Sequence, residues 1–170
     1  MIYHPAEDSF LLGIQVKKFA KGKVLDLGSG SGYQALIALK KTKNVLASDI
    51  SKEAVELCKS KGINCIQSDL FSKIKDKFDI IIFNPPYLPL DELEDLDSRL
   101  STTGGKKGNE ILIEFLKQAK KYLNKTGKIL LIVSSLTPDF EKLFKKYNYK
   151  FKKLSEQSFF FERIYCYSLS

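Results

Sequence analysis

From Lys23 onward, short runs of apolar, β-branched residues alternate with segments of helical period. This alternation constrains the chain most, because each buried strand must be covered by the helix beside it, giving an α/β fold with a mostly parallel sheet and helices on both faces. The predicted strands are Val24 to Leu27, Val45 to Asp49, Ile63 to Gln67, Phe78 to Phe83, Lys128 to Ser134, Lys150 to Leu154 and Ile164 to Leu169. Helices are predicted at Gly32 to Lys41, at Lys52 to Lys61 with Ser51 as N-cap and Gly62 as stop, at Asn109 to Leu123, and at Pro138 to Tyr147. The last carries Phe140, Leu143, Phe144 and Tyr147 at i, i+3, i+4 and i+7, a core stripe, with Thr137 as N-cap and Pro138 at the first helical position. Seven strands in 170 residues that are 44% hydrophobic leave room for one domain, residues 1–170.

The first strand runs into Asp26-Leu27-Gly28-Ser29-Gly30-Ser31-Gly32, a glycine-rich turn opening a helix. Backbone N–H groups at such a turn face whatever lies above the strand ends. A dinucleotide fingerprint would need glycine at Tyr33, and no lysine follows as in a phosphate-binding loop. Asp26 puts an acid beside the turn, which repels a pyrophosphate and suits a cationic ligand. About twenty residues on, Asp49 ends the second strand, where it can accept from ribose hydroxyls. Asp69 follows the third strand, where it can accept from an adenine amino group while the Leu70 N–H faces a ring nitrogen. Three acids at three adjacent strand ends outline a ligand that is part nucleoside and part amino acid.

Asn84-Pro85-Pro86-Tyr87 directly follows the apolar run Phe78 to Phe83. It places a side-chain amide and a rigid turn at a buried strand's end, where open α/β sheets hold their ligands. The prolines fix φ and remove two backbone donors, leaving carbonyl acceptors beside the Asn84 amide and the Tyr87 ring, a pocket suited to a planar NH2 group. The following stretch, Leu88 to Lys107, is long and aperiodic, with the acidic run Asp91 to Asp97. Its position directly after the turn marks it as a substrate-side lid.

Other features narrow the field by exclusion. No apolar run approaches the length needed to cross a bilayer, and there is no secretory leader, so a soluble, cytoplasmic protein is expected. Cys58, Cys65 and Cys166 lack metal-type spacing and His4 is the single histidine, so no metal site and reduced, buried thiols are expected. The net charge of +8 comes from lysines scattered along helix faces, with arginine only at Arg99 and Arg163. Such a distribution argues against direct nucleic-acid binding.

The ordered set Asp26 to Gly32, Asp49, Asp69 and Asn84 to Tyr87 resembles the motifs of a class I S-adenosylmethionine-dependent methyltransferase of the amino-methylating kind. The opening Tyr3-His4-Pro5-Ala6-Glu7-Asp8-Ser9-Phe10-Leu11-Leu12 and the segment Gly104-Gly105-Lys106-Lys107-Gly108-Asn109-Glu110 resemble the archaeal and eukaryotic branch of the HemK family, as does the tail in Leu154, Gln157 and Glu162. The resemblance implies a Rossmann-like seven-stranded sheet with an antiparallel strand near the C-terminus. It also implies S-adenosylmethionine as cofactor, S-adenosylhomocysteine as product, and cofactor contacts from Ser9, Asp26, Gly28, Gly30, Gly32, Asp49, Asp69, Leu70 and Asn84. The substrate implied is the glutamine of the Gly-Gly-Gln motif in a class 1 peptide release factor. Ser9 departs from the threonine usual there, keeping the hydroxyl and losing a methyl contact. Bacterial relatives recognise the release factor through an N-terminal helical domain. Here the Tyr3 motif stands first, so recognition is expected from the core, the lid or a small zinc-binding activator on the edge strand Ile63 to Gln67.

By this resemblance Asn84, Pro85, Pro86 and Tyr87 are the catalytic set. Asn84 Oδ1 and the Pro85 carbonyl would accept the two amide hydrogens and Tyr87 would pack on the amide plane. Glu7 and Asp8 would act electrostatically near the sulfonium. Two other substrates keep the same pocket: an amino group on a DNA or RNA base, and a protein lysine. A cofactor-binding subunit without activity is the non-enzymatic alternative.

Overall fold

In the computed structural model, residues 4–87 and 103–170 are described, so the predicted lid lies outside the described residues up to position 102, its acidic run included. Seven strands are present: β1 (Val24–Leu27), β2 (Val45–Asp49), β3 (Cys65–Gln67), β4 (Phe78–Phe83), β5 (Leu123–Ser134), β6 (Phe151–Ser158) and β7 (Arg163–Leu169). They form one sheet in the order β3-β2-β1-β4-β5-β7-β6. Strands β1 to β5 are mutually parallel where they pair, and β7 runs antiparallel to both β5 and β6. The expected antiparallel strand near the C-terminus is thus present.

The helices are α1 (Glu7–Phe19), α2 (Tyr33–Leu39), α3 (Lys52–Ser60), α4 (Glu110–Ala119) and α5 (Phe140–Lys146). They divide between the two faces. Val24, Ile80, Ile82, Leu130 and Ile132 point into a core shared with Leu12 and Val16 of α1 and Ala35 and Ala38 of α2. The intervening residues Leu25, Ile81, Phe83, Ile129, Leu131 and Val133 point to the other side, onto Leu112, Phe115 and Leu116 of α4 and Phe144 of α5. This alternation with period two is what a strand buried on both faces requires. Aromatic rings dominate the second core: Phe71 stacks on Tyr122 with centroids 4.5 Å apart, and Phe83 meets Phe115 at 4.5 Å.

Several bounds depart from the sequence expectation. Helix α1 is absent from the predicted elements. Its first turn is acidic and its last basic, matching the helix dipole, but it buries the polar Asp8, Ser9 and Gln15, which interrupts the apolar stripe. Strand β3 is shorter than Ile63 to Gln67. The helix expected to reach Leu123 ends at Ala119, continues as a 3-10 turn over Lys120–Tyr122, and gives way to a β5 that starts five residues before Lys128. The early part of β5 pairs with β4 only across an irregularity, Phe78 opposing Leu123 and Ile80 opposing Lys128. Strand β6 extends to Ser158, four residues past the expected Leu154, its polar end paired to β7. Thr137 is not the N-cap of α5. That position is Asp139, at φ 53°, while Thr137 Oγ1 accepts a hydrogen bond from the Ser134 N–H at the end of β5.

All three cysteines are buried free thiols. Among the described residues no helix is long and apolar enough to cross a membrane, and no cluster of potential metal ligands occurs.

Candidate active site

Strand order reverses at β1, which has β2 on one side and β4 on the other, and such a switch point opens a crevice above the carboxyl ends of the strands. Leu27 and Phe83 are register partners, so the glycine turn after β1 and the Asn84 turn after β4 leave the sheet side by side. Between and above them lies a cavity of about 740 Å3, lined by every predicted cofactor and catalytic position except Gly32. Asp8, Phe83, Glu110 and Glu114 also line it.

The glycine turn is shaped by its backbone. Gly28, Gly30 and Gly32 have φ of 66°, 50° and 80°, all in the left-handed region that side chains disfavour. At Gly32 a Cβ would also lie 2.6 Å from Ile63 Cδ1, so this glycine serves packing beneath the turn. The turn is held from the β2 side by Asp49, whose Oδ2 accepts from the Gly30 N–H at 2.8 Å and whose Oδ1 accepts from the Ser51 N–H at 2.9 Å. Each oxygen retains a lone pair for a ligand hydroxyl. Below, the Ser29 hydroxyl sits 3.5 Å from Cys58 Sγ and 3.8 Å from Cys65 Sγ. Hydrogen bonding to Cys58 and burial both hold the Cys65 thiol well above its ordinary range.

Asp26 lies under the turn with 2% of its surface exposed, its Oδ2 accepting from the Ala35 N–H in α2 at 2.9 Å. Burial pushes its carboxyl up to about 8 against the pull of that hydrogen bond. Burial thus favours the protonated form of an acid that the sequence presents as a negative charge. Asp69 is exposed at the cavity rim, and Leu70 beside it adopts φ 42°. A left-handed leucine costs about 1 to 2 kcal/mol. Its turn is held by Ser68, whose hydroxyl donates to the Leu70 carbonyl at 2.9 Å and accepts from the Lys73 N–H at 3.0 Å.

At the other end, Asn84 Nδ2 donates to Asp8 Oδ2 at 2.9 Å. Asn84 Oδ1 is buried without a hydrogen-bond partner. Asp8 itself is buried, and its Oδ1 accepts from the Ser9 N–H at 2.6 Å and the Ser9 hydroxyl at 3.2 Å. The contact to Asn84 goes beyond the sequence reading, which gives Asp8 an electrostatic part only. The signal available is its position in the first turn of a helix whose buried face includes it. Ser9 is further fixed through its carbonyl, which accepts from Gln34 Nε2 at 2.8 Å. Pro85 is buried, Pro86 and Tyr87 half-buried, and Tyr87 packs against the α1-side core. Gly104, beyond the undescribed stretch, comes so close to this turn that a Cβ there would meet the Pro86 carbonyl oxygen at 2.8 Å and that of Gly108 at 2.4 Å. Glu110 closes the segment, accepting from the backbone N–H groups of Lys107 and Asn109 at 3.0 and 3.2 Å.

The donor set fits S-adenosylmethionine. A buried acid, a second carboxylate with free lone pairs, a third carboxylate at the rim and a glycine cradle could hold the ammonium, ribose and adenine of such a cofactor. Comparison with known proteins agrees. The methyltransferase small domain family matches residues 7–160. A Methanocaldococcus jannaschii protein named "Putative protein N5-glutamine methyltransferase" is 40% identical over 149 residues, covering 82% of this chain and 76% of that protein. A release factor glutamine methyltransferase of Lactococcus lactis is 38% identical over 124 residues, covering 64% of this chain and 46% of the longer bacterial enzyme. Among solved structures, the E. cuniculi Mtq2-Trm112 complex, which methylates the termination factor eRF1, superposes with a TM-score of 0.80 at 24% identity, over 99% of this chain and 97% of that one. A Bacteroides fragilis S-adenosylmethionine-dependent methyltransferase solved with S-adenosylhomocysteine gives 0.68 at 21% identity, over 98% and 77%. This chain belongs to the methyltransferase small domain family and, within it, to the HemK-type class I S-adenosylmethionine-dependent methyltransferases.

Proposed function

We propose that the chain methylates the side-chain amide nitrogen of the glutamine in the Gly-Gly-Gln motif of a class 1 peptide release factor. The observation that carries this reading is the buried, unpartnered Asn84 Oδ1 with Nδ2 committed elsewhere. A lone acceptor at the cavity's end calls for a ligand N–H, because a buried acceptor left unpaired costs about 1 to 3 kcal/mol. The Pro85 carbonyl is the natural second acceptor. Two acceptors hold both hydrogens of a primary amide and leave its nitrogen directed across the cavity. A lysine ammonium, carrying a third hydrogen and no lone pair, uses such a site less well. The names of the M. jannaschii and L. lactis relatives point to the same substrate class.

S-adenosylmethionine bound over the glycine turn supplies an electrophilic methyl group. The chain's part is to position a weak nucleophile, since amide nitrogen shares its lone pair with the carbonyl. Asn84 Oδ1 and the Pro85 carbonyl also stabilise positive charge growing on nitrogen during transfer. The proton becomes acidic only after the new N–C bond forms, so no strong base is needed at the site. His4, exposed at the start of the described chain, is not among the residues that line the cavity.

For partners, strand β3 lies at the sheet edge, paired among the described residues with β2 only, and exposed Ile50, directly after β2, accepts at its carbonyl from Gln67 Nε2 at 3.0 Å. A second protein adding a strand there would cover the edge. The Mtq2-Trm112 complex supports a small partner, and the family resemblance makes it a zinc-binding one. The test is peptide mass spectrometry of the organism's release factor after incubation with this protein, that partner and S-adenosylmethionine. A methyl group on the Gly-Gly-Gln glutamine, absent with Asn84→Ala, is the expected result. Bound cofactor with an unmodified glutamine would refute the substrate.

A further inference from the structure

We propose that Asp8 is a positioning residue for methyl transfer: it fixes which end of the Asn84 amide faces the acceptor. This rests on the reading of Asn84 above and extends it to a residue that touches neither the transferred methyl nor the acceptor nitrogen.

An asparagine amide rotated by half a turn exchanges Oδ1 with Nδ2 at almost no cost in shape, so packing alone does not select between the two. A hydrogen-bond partner does. Asp8 Oδ2 stands 2.9 Å from Asn84 Nδ2. In the rotated state two oxygens would face each other at that distance, and the amide would offer N–H where it now offers an unpartnered oxygen. Both contacts would be wrong at once. In the observed state the NH2 group is engaged by Asp8, and Oδ1, buried, is the end of the amide left without a partner.

The carboxylate is itself held against rotation. Its Oδ1 accepts two hydrogen bonds from Ser9, and Ser9 is tied through its carbonyl to Gln34 in α2. The chain of contacts runs from the α2 helix through the first turn of α1 to the end of β4, linking positions 76 residues apart at its last step. Its polar members Asp8, Ser9 and Gln34 are all buried. An acid placed there only for the helix dipole would be expected on the solvent side, as Glu7 is.

An exchange experiment tests this. Four variants are assayed for kcat, for KM of the acceptor and for S-adenosylhomocysteine Kd: Asp8→Asn, Asn84→Asp, the double exchange, and Asn84→Ala as control. Asp8→Asn preserves shape and the Ser9 contacts but brings an NH2 group that can donate to Asn84 Oδ1 and occupy the acceptor. Its kcat should fall about tenfold or more, the scale for a mispaired buried polar group, with Kd changed by less than about threefold. Asn84→Asp sets two carboxylates against each other and should be at least as impaired. The double exchange restores one donor–acceptor pair, the amide now on α1 donating to the carboxylate now at the end of β4, and leaves an oxygen toward the cavity. It should recover about tenfold over Asn84→Asp, which a residue with a merely structural role would not do. Asp8→Asn with wild-type kcat, a double exchange no better than Asn84→Asp, or loss of cofactor binding in Asp8→Asn would each overturn the proposal while Asn84→Ala stays inactive. An active Asn84→Ala would instead overturn the role of Asn84, and the inference with it.

Discussion

Replacing Asp26 with asparagine should stabilise the protein at alkaline pH and weaken its hold on the cofactor, and both effects follow from one buried proton. The folded-state carboxyl sits at about 8 against an ordinary 3.8, chiefly because burial disfavours its charge. Folding therefore favours the protonated form. The contribution of this group to stability is fully present below pH 3.8, declines as pH rises, and is lost once pH passes the folded value near 8. Between pH 6 and 8 the loss is about 2 kcal/mol, and across the whole window about 6 kcal/mol, at about 1.4 kcal/mol per pH unit. Asparagine keeps an oxygen for the Ala35 N–H, which Asp26 now satisfies at 2.9 Å, and has no proton to lose. Urea midpoints measured at pH 6 and pH 8 should fall in the wild type and stay level in Asp26→Asn relative to it. The cofactor's ammonium reverses the preference, so S-adenosylhomocysteine binding at pH 7 should release close to one proton from the wild type and none from the variant. Titration calorimetry in two buffers of different ionisation enthalpy reads this directly. Parallel stability profiles, or equal proton release from both proteins, would refute the argument.

Gly32→Ala should be costly twice over, through φ of 80° and a Cβ 2.6 Å from Ile63 Cδ1, lowering stability by about 1 to 3 kcal/mol in thermal unfolding and weakening S-adenosylhomocysteine binding. Gly104→Ala meets backbone oxygens of Gly108 and Pro86, which cannot swing aside, so it should raise KM for the acceptor while cofactor Kd, set at the other end of the cavity, moves little in equilibrium titration. Phe71→Ala removes a fully buried ring stacked between Phe115 and Tyr122 and should cost about 3 to 5 kcal/mol by chemical denaturation.

The central strands were legible because burial on both faces leaves short, largely apolar runs, broken only by Asp26, Ser48, Asp49 and Asp79. Val24–Leu27, Val45–Asp49 and Phe78–Phe83 fall where the sequence puts them. What failed lies at the periphery. Strand β6 reads as loop past Leu154 because Ser155, Glu156, Gln157 and Ser158 lie in an edge strand, where polar residues deter further pairing. Helix α1 was hidden because its buried face holds the polar groups that serve the site, so function blurred the periodicity that would have announced the fold. At the site, residue identities were readable and their states were not. Nothing in the spelling of Asp26 says that it carries a proton, and nothing in that of Asp8 says that it reaches across 76 positions to Asn84. Both depend on tertiary burial.

The twin prolines after Asn84 have a consequence for molecules that resemble the substrate. Neither offers an N–H, and the NH2 group of the Asn84 side chain is turned toward Asp8, so the acceptors proposed for the substrate amide would meet oxygen with oxygen when a carboxylate enters. Glutamine ages to glutamate by losing its amide. On the function proposed here the deamidated side chain would be refused, by as much as about 10^4-fold for a site built around a missing N–H. The enzyme would then mark only release factors whose amide is still chemically intact, acting as an inspector of its substrate's integrity as well as its modifier.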